Sequence, residues 1–170
     1  MKSFYLFLLV NFISFVSFGQ CHELYRKADK LGDITTVTTL SPDQLSTESV
    51  HYKRVKEKGK VQYFLMLSTE AGTSHPQKGA AVVFKDGSKV EWTDALVEFS
   101  LKNGHYTSYC EIKLAEDIVD YFRDKEIAFI QLSSHKGALD LAQSQRAKTL
   151  INCIIFSDLI DIKSDQVVSQ

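Results

Sequence analysis

The sequence predicts a mainly β, α+β fold: an antiparallel sandwich or strongly curved sheet, with one short and one longer helix near the C-terminus. Three observations predict it. From Gly32 to Glu111, β-branched and aromatic residues come in short runs broken at regular intervals by turn residues. Two dipeptides, Asp86-Gly87 and Asn103-Gly104, stand between apolar runs, as hairpin turns require. After Leu114 the apolar spacing lengthens to that of a helix.

The elements follow in order. Ile34 to Leu40 is the first strand. Val50 to Val55 and Val61 to Ser68 form a hairpin around Glu57, Lys58, Gly59 and Lys60. Between Val61 and Leu67 only Gln62 is polar, so this strand is expected to be central and covered on both faces. Ala80 to Phe84 and Ser88 to Trp92 flank Asp86-Gly87, read as a type I′ turn; Val97 to Leu101 and Tyr106 to Leu114 flank Asn103-Gly104. Leu114, Ile118, Tyr121 and Phe122 keep helical spacing, and Glu116 and Asp117 suit a positive helix start, so a short helix runs from about Ala115 to Arg123. Ile127 to Leu132 is a further strand. A longer helix spans Ala138 to about Ile155 with Ala147, Leu150, Ile151 and Ile154 inward, although Leu150 to Phe156 has strand composition too.

Length and composition bound what such a domain does. The 170 residues carry 20 Lys and Arg against 21 Asp and Glu, with 44% hydrophobic residues and 8 Gly. That balance excludes a disordered tail, an electrostatically driven nucleic-acid binder and a collagen-like repeat. No nucleic-acid partner is expected.

Residues 1–19 read as a signal peptide: Lys2 is the only charge, Phe4 to Phe18 is apolar apart from a few polar positions, and Ser17 and Gly19 are small residues placed for cleavage before Gln20. The apolar stretch of about 15 residues falls short of the roughly 20 needed to span a bilayer, so no stable membrane insertion is expected after cleavage. Residues 20–163 then form a single β-rich domain and 164–170 a flexible tail. The protein is expected to be exported, to the periplasm or beyond the cell. Lipidation at Cys21 is the competing possibility, disfavoured because bulky Gln20 stands where a lipoprotein leader needs a small residue.

In an oxidising compartment the three cysteines, Cys21, Cys110 and Cys153, can pair. Cys110 alternates inward with Ser108 and Ile112, and Cys153 lies in a segment apolar nearly all round, whereas Cys21 sits at the mature terminus. The preferred disulfide is Cys110 with Cys153; the alternative is two buried free thiols.

No catalytic residue and no metal or cofactor site is assigned. The histidines at 22, 51, 75, 105 and 135 have no metal-ligand spacing. Ser133-Ser134-His135-Lys136 matches the Ser-x-x-Lys of penicillin-recognising enzymes in form only, since their companion motifs are missing. Glu70, Glu91 and Asp94 fall at predicted strand ends, where a glycosidase-like carboxylate pair is conceivable, but so many acids produce such pairs by chance. The candidate binding segment is the loop Ala71 to Gly79, longer than an ordinary hairpin connection, with Thr73, His75 and Lys78 as polar contacts and Trp92, the single tryptophan, as a stacking surface.

The chain resembles small exported β-rich proteins of the Bacteroidota type. The resemblance rests on Ser17-Phe18-Gly19-Gln20, on Gln62 to Ser68, on Val82 to Val90, and on Leu150-Ile151-Asn152-Cys153. It implies a secreted β-rich domain and brings with it no established activity. The expected function is an exported non-enzymatic binding or envelope-associated module for a surface protein or glycan. The alternative is a small periplasmic or secreted hydrolase assembled from distant side chains.

Overall fold

The computed structural model describes residues 21, 24–29, 33–39, 49–70, 77–102 and 105–158. The leader, His22, the first part of the candidate loop with Thr73 and His75, the Asn103-Gly104 turn and the tail lie outside the described residues. The strands are β1 (Tyr25–Ala28), β2 (Ile34–Thr38), β3 (Ser49–Glu57), β4 (Lys60–Glu70), β5 (Gln77–Phe84), β6 (Lys89–Lys102), β7 (His105–Leu114), β8 (Ile127–Leu132) and β9 (His135–Ala138). Helix α1 (Glu116–Asp124) follows β7, and α2 (Leu141–Ile155) follows β9.

The strands form one unclosed sheet in the order β1-β2-β3-β4-β7-β6-β5-β8-β9, and every pairing is antiparallel. The mainly β fold with two late helices is the expected one. The sheet bends at β6, which pairs with β5 through Lys89 to Val97 and with β7 only from Glu98 onward. The two strands expected at Ser88–Trp92 and Val97–Leu101 are therefore one, and β6 passes from one wing of the sheet to the other. Central position for β4 is as expected, and Leu65, Met66 and Leu67 are all buried, although Val61 reaches the surface.

Alternation places Val50, Tyr52 and Arg54 of β3 inward, opposite Leu67, Leu65 and Tyr63 of β4. Helix α2 lies against β3 and β8, and its Ala147, Leu150, Ile151 and Ile154 enter the same core as Val82, Phe84, Ile130 and Leu132. Phe122 of α1 meets Phe84 and Tyr52 edge-on at centroid distances of 5.4 and 6.0 Å.

The turns follow local chemistry. Lys58 and Gly59 both have positive φ, 47° and 79°, the signature of a type I′ turn with only these two residues between Glu57 and Lys60. At Asp86-Gly87 the expected type I′ turn is not found. Gly87 N–H donates to Phe84 O at 2.9 Å and only Gly87 of the pair has positive φ, so a type I turn leads into a left-handed glycine and a bulge. Asp86 has its own reason for staying right-handed: its Oδ1 accepts from Ser88 N–H at 2.9 Å and its Oδ2 pairs with Lys125 Nζ at 2.8 Å.

Helix α2 starts at Leu141, three residues later than expected, because Asp140 closes a capping box. Its Oδ1 accepts from Gln143 N–H at 2.7 Å while Gln143 Oε1 accepts from Asp140 N–H at 2.8 Å. Ala138 instead ends β9, a four-residue edge strand.

The disulfide expectation is corrected. Cys153 is bonded to Cys21, with Cα atoms 5.5 Å apart, and Cys110 is a buried free thiol. Cys110 faces the core as expected, opposite Leu67, and Cys153 lies in α2, the longer helix expected there, so the strand alternative for Leu150 to Phe156 does not hold. Cys21 is packed among core residues at 9% exposure rather than frayed.

Candidate functional site

The candidate site lies where β5 is irregular. Lys78 pairs with Leu96 and Ala80 with Trp92, so Thr93, Asp94 and Ala95 of β6 bulge opposite the single residue Gly79. Gly79 adopts a φ of +97°, a region that side-chain-bearing residues avoid, and this lets β5 stay paired on both sides of the bulge. On its other side Gly79 O accepts from Ser133 N–H at 2.7 Å. Ser133 itself has a φ of 54° and opens the two-residue turn between β8 and β9.

Two rows of residues cross the outer face here. One contains Thr93, Gly79 and Ser133; in the other Ala81 is paired with both Glu91 and Gln131. Because the middle strand contributes only Gly79 and Ala81, its surface sinks between taller polar neighbours. The result is an open trough of about 410 Å³ bounded by Lys78, Glu91, Thr93, Gln131, Ser133 and Ser134. Gln131 Nε2 donates to Ser133 O at 2.7 Å, which fixes the amide, and Glu91 is paired with Lys89 Nζ at 2.8 Å.

Of the candidate residues that are described, Lys78 and Trp92, the structure brings Lys78 into this trough. Gln77, Lys78 and Gly79 belong to β5 rather than to a loop. Trp92 does not border the trough; it lies within β6, half-buried against the core. Glu91 alone of the three acids singled out lines the trough; Glu70 ends β4 and Asp94 sits in the bulge. Sequence reasoning missed Gln131, Ser133 and Ser134, whose signal was the Ser-Ser pair at a turn. It also missed Thr93, which carried no signal.

The lining offers hydroxyls, one amide, one ammonium and one carboxylate, and at its rim Ser134 Oγ lies 3.4 Å from His135 Nδ1. Among the described residues no group of three His, Cys, Asp or Glu is placed to hold a metal ion. Elsewhere, His51 lies half-buried with Nδ1 3.2 Å from Thr39 O. The Cys110 thiol is pushed up to about 11, first by burial and then by Glu98 and Glu111, which keeps it protonated and unreactive at neutral pH.

Compared with family models, with curated proteins and with solved structures, the chain matches none.

Proposed function

We propose that the protein is an exported, non-enzymatic binding module of the cell envelope whose trough across β5, β6 and β8 takes a polyhydroxylated ligand, a glycan strand. The observation that carries this reading is the bulge at Gly79, which lowers one strand between two polar walls and leaves hydroxyl, amide and charged groups around an open channel. Sugars are recognised by such arrays of donors and acceptors, and an open trough admits a chain rather than a small enclosed substrate.

One feature supports export and also bears on how the leader is removed. A disulfide suits an oxidising compartment. Cys21 Sγ, being bonded to Cys153, is not free to carry a lipid thioether, which favours leader cleavage over lipidation. Among the described residues no helix is long and apolar enough to cross a membrane.

Affinity measurement against oligosaccharides released from envelope polysaccharide tests the reading. Glu91→Gln and Gln131→Ala are each expected to weaken binding about tenfold, equivalent to about 1.4 kcal/mol for a lost hydrogen bond to a charged or fixed group. No saccharide binding, or binding unchanged in both variants, would overturn it. Retention of an envelope protein instead would assign the trough to a protein partner.

A further inference from the structure

On the inward face of the other wing, Arg26 of β1 and Arg54 of β3 flank Val37 of β2, which pairs with both and is fully buried. Both arginines reach the turn that follows α2. Arg26 Nη2 donates to Ser157 O at 3.1 Å. Arg54 Nη1 donates to Ser157 Oγ at 3.3 Å and to Asp158 Oδ1 at 2.8 Å, and its Nη2 to Asp158 Oδ2 at 2.6 Å. Lys56, two residues along β3, adds a third cation 3.6 Å from Asp158 Oδ2.

We infer that Arg26, Arg54 and Lys56 form a binding site for a phosphate-type oxyanion, which the chain's own Asp158 carboxylate occupies in this structure. Three arguments lead there. Arg54 and Lys56 share the one Asp158 carboxylate and Arg26 beside them reaches only the Ser157 carbonyl, so the three cations are short of negative charge among the described residues. The Arg54 side chain is only 5% exposed, yet among the described residues its Nε has no acceptor, and Arg26 Nε is likewise buried and unpartnered among them. A guanidinium offers five N–H groups, and a carboxylate spends both oxygens on the two Nη atoms of Arg54; a tetrahedral oxyanion brings further acceptor oxygens for the N–H groups left over.

The geometry also permits exchange. Arg54 forms the floor, while the Asp158 side chain is 48% exposed at the mouth and Lys56 stands at the rim with 45% exposure. Asp158 lies beyond the last helical residue, Ile155, so it can leave by a movement of the turn while the Cys21–Cys153 bond keeps α2 seated. That same tether holds Asp158 at high effective concentration, so the native chain competes with any external anion.

The test uses the full chain, wild type and Asp158→Asn, titrated with inorganic phosphate against chloride at constant ionic strength, and reads thermal midpoint and phosphate affinity. Asp158→Asn is expected to bind phosphate about tenfold more tightly than wild type, with a saturable rise in midpoint that chloride does not produce. Adding Arg54→Lys to that variant is expected to abolish the response. Equal responses to phosphate and chloride, or a response that survives Arg54→Lys, would overturn the site. Should Asp158→Asn lose its native near-ultraviolet dichroism in chloride, recovery in phosphate supports the site and failure to recover overturns it. A parallel titration with glycerol 3-phosphate separates the sources: tighter binding of the ester assigns a phosphomonoester, tighter binding of phosphate the free ion, and both support the site.

Discussion

Cys153, near the end of α2, is bonded to Cys21, which lies ahead of β1 and 132 residues earlier in the chain. The bond fastens the closing helix to the edge of the sheet where the chain enters. Arg26 and Arg54 hold the turn beyond that helix to the same wing.

Closing a loop of that length restricts the unfolded chain, and in the chain-entropy view this stabilises the fold by about 5 kcal/mol. Cys153→Ser is therefore expected to lower the unfolding free energy by about 4–5 kcal/mol, read from denaturant titration. Thiol titration of the denatured, unreduced protein should find Cys110 alone; detection of all three cysteines would rule the bond out.

Tyr52 is 1% exposed, and its hydroxyl has no hydrogen-bond partner among the described residues. An unmade bond of this kind costs free energy that removal of the hydroxyl restores. Tyr52→Phe should keep the edge contact with Phe122 and raise stability by about 1 kcal/mol. Ser144→Ala should act the same way by about 0.5–1 kcal/mol, because its buried Oγ is also unpartnered among the described residues and alanine is the better helix former. A loss of more than about 1 kcal/mol in either variant would show that the hydroxyl is bonded.

Gly79→Ala tests the bulge. A Cβ there would meet nothing nearer than Thr93 O at 3.8 Å, so space is not the obstacle, but the φ of +97° is. The substitution should cost about 1–2 kcal/mol through backbone strain, and should disturb the trough more than the rest of the fold. Amide exchange confined to β5, β6 and β8 is the expected signature.

Stability should fall on both sides of neutrality. Hydrogen bonds from Arg54 hold the Asp158 carboxyl below its ordinary value, those from Lys125 and Ser88 hold Asp86 there, Arg123 does so for Asp124 and Lys85 for Glu126. Each of these groups binds its proton less tightly when folded, so its contribution is complete above about pH 5 and disappears as pH drops through the folded value. Cys110 has the opposite sign. Its folded value of about 11 exceeds the ordinary 9.0, so stability present below pH 9 is lost as pH rises toward 11. Thermal midpoints measured from pH 2 to 11 should trace a plateau with two falling edges; an acid edge missing below pH 4 would contradict the carboxylate pairings.

Much of the sheet was legible because alternation and turn chemistry are local. Lys58-Gly59, the β4 core run and Ile127 to Leu132 needed no tertiary information. The start of α2 was legible too: Asp140 and Gln143 spell a capping box, but a three-residue overestimate of the helix hid it, and with it β9. What local reading could not reach was pairing. Ser88 to Trp92 and Val97 to Leu101 look like separate strands because Asp94 interrupts them, and only their neighbours on β5 and β7 reveal one strand with a bulge. Cys110 and Cys153 are both buried in the core, yet which of them is bonded depends on what the fold brings beside each. The trough depended on the same kind of information, since Gly79, Glu91 and Gln131 become neighbours only through the β6-β5-β8 register.

The Cys21–Cys153 bond has a mechanical consequence. Tension applied between a point ahead of Cys21 and a point beyond Cys153 passes through a covalent link and bypasses the strands and helices enclosed between them. Held by its two ends, the oxidised molecule would extend by little more than its outer segments, and only a reductant would let the pull reach the sheet.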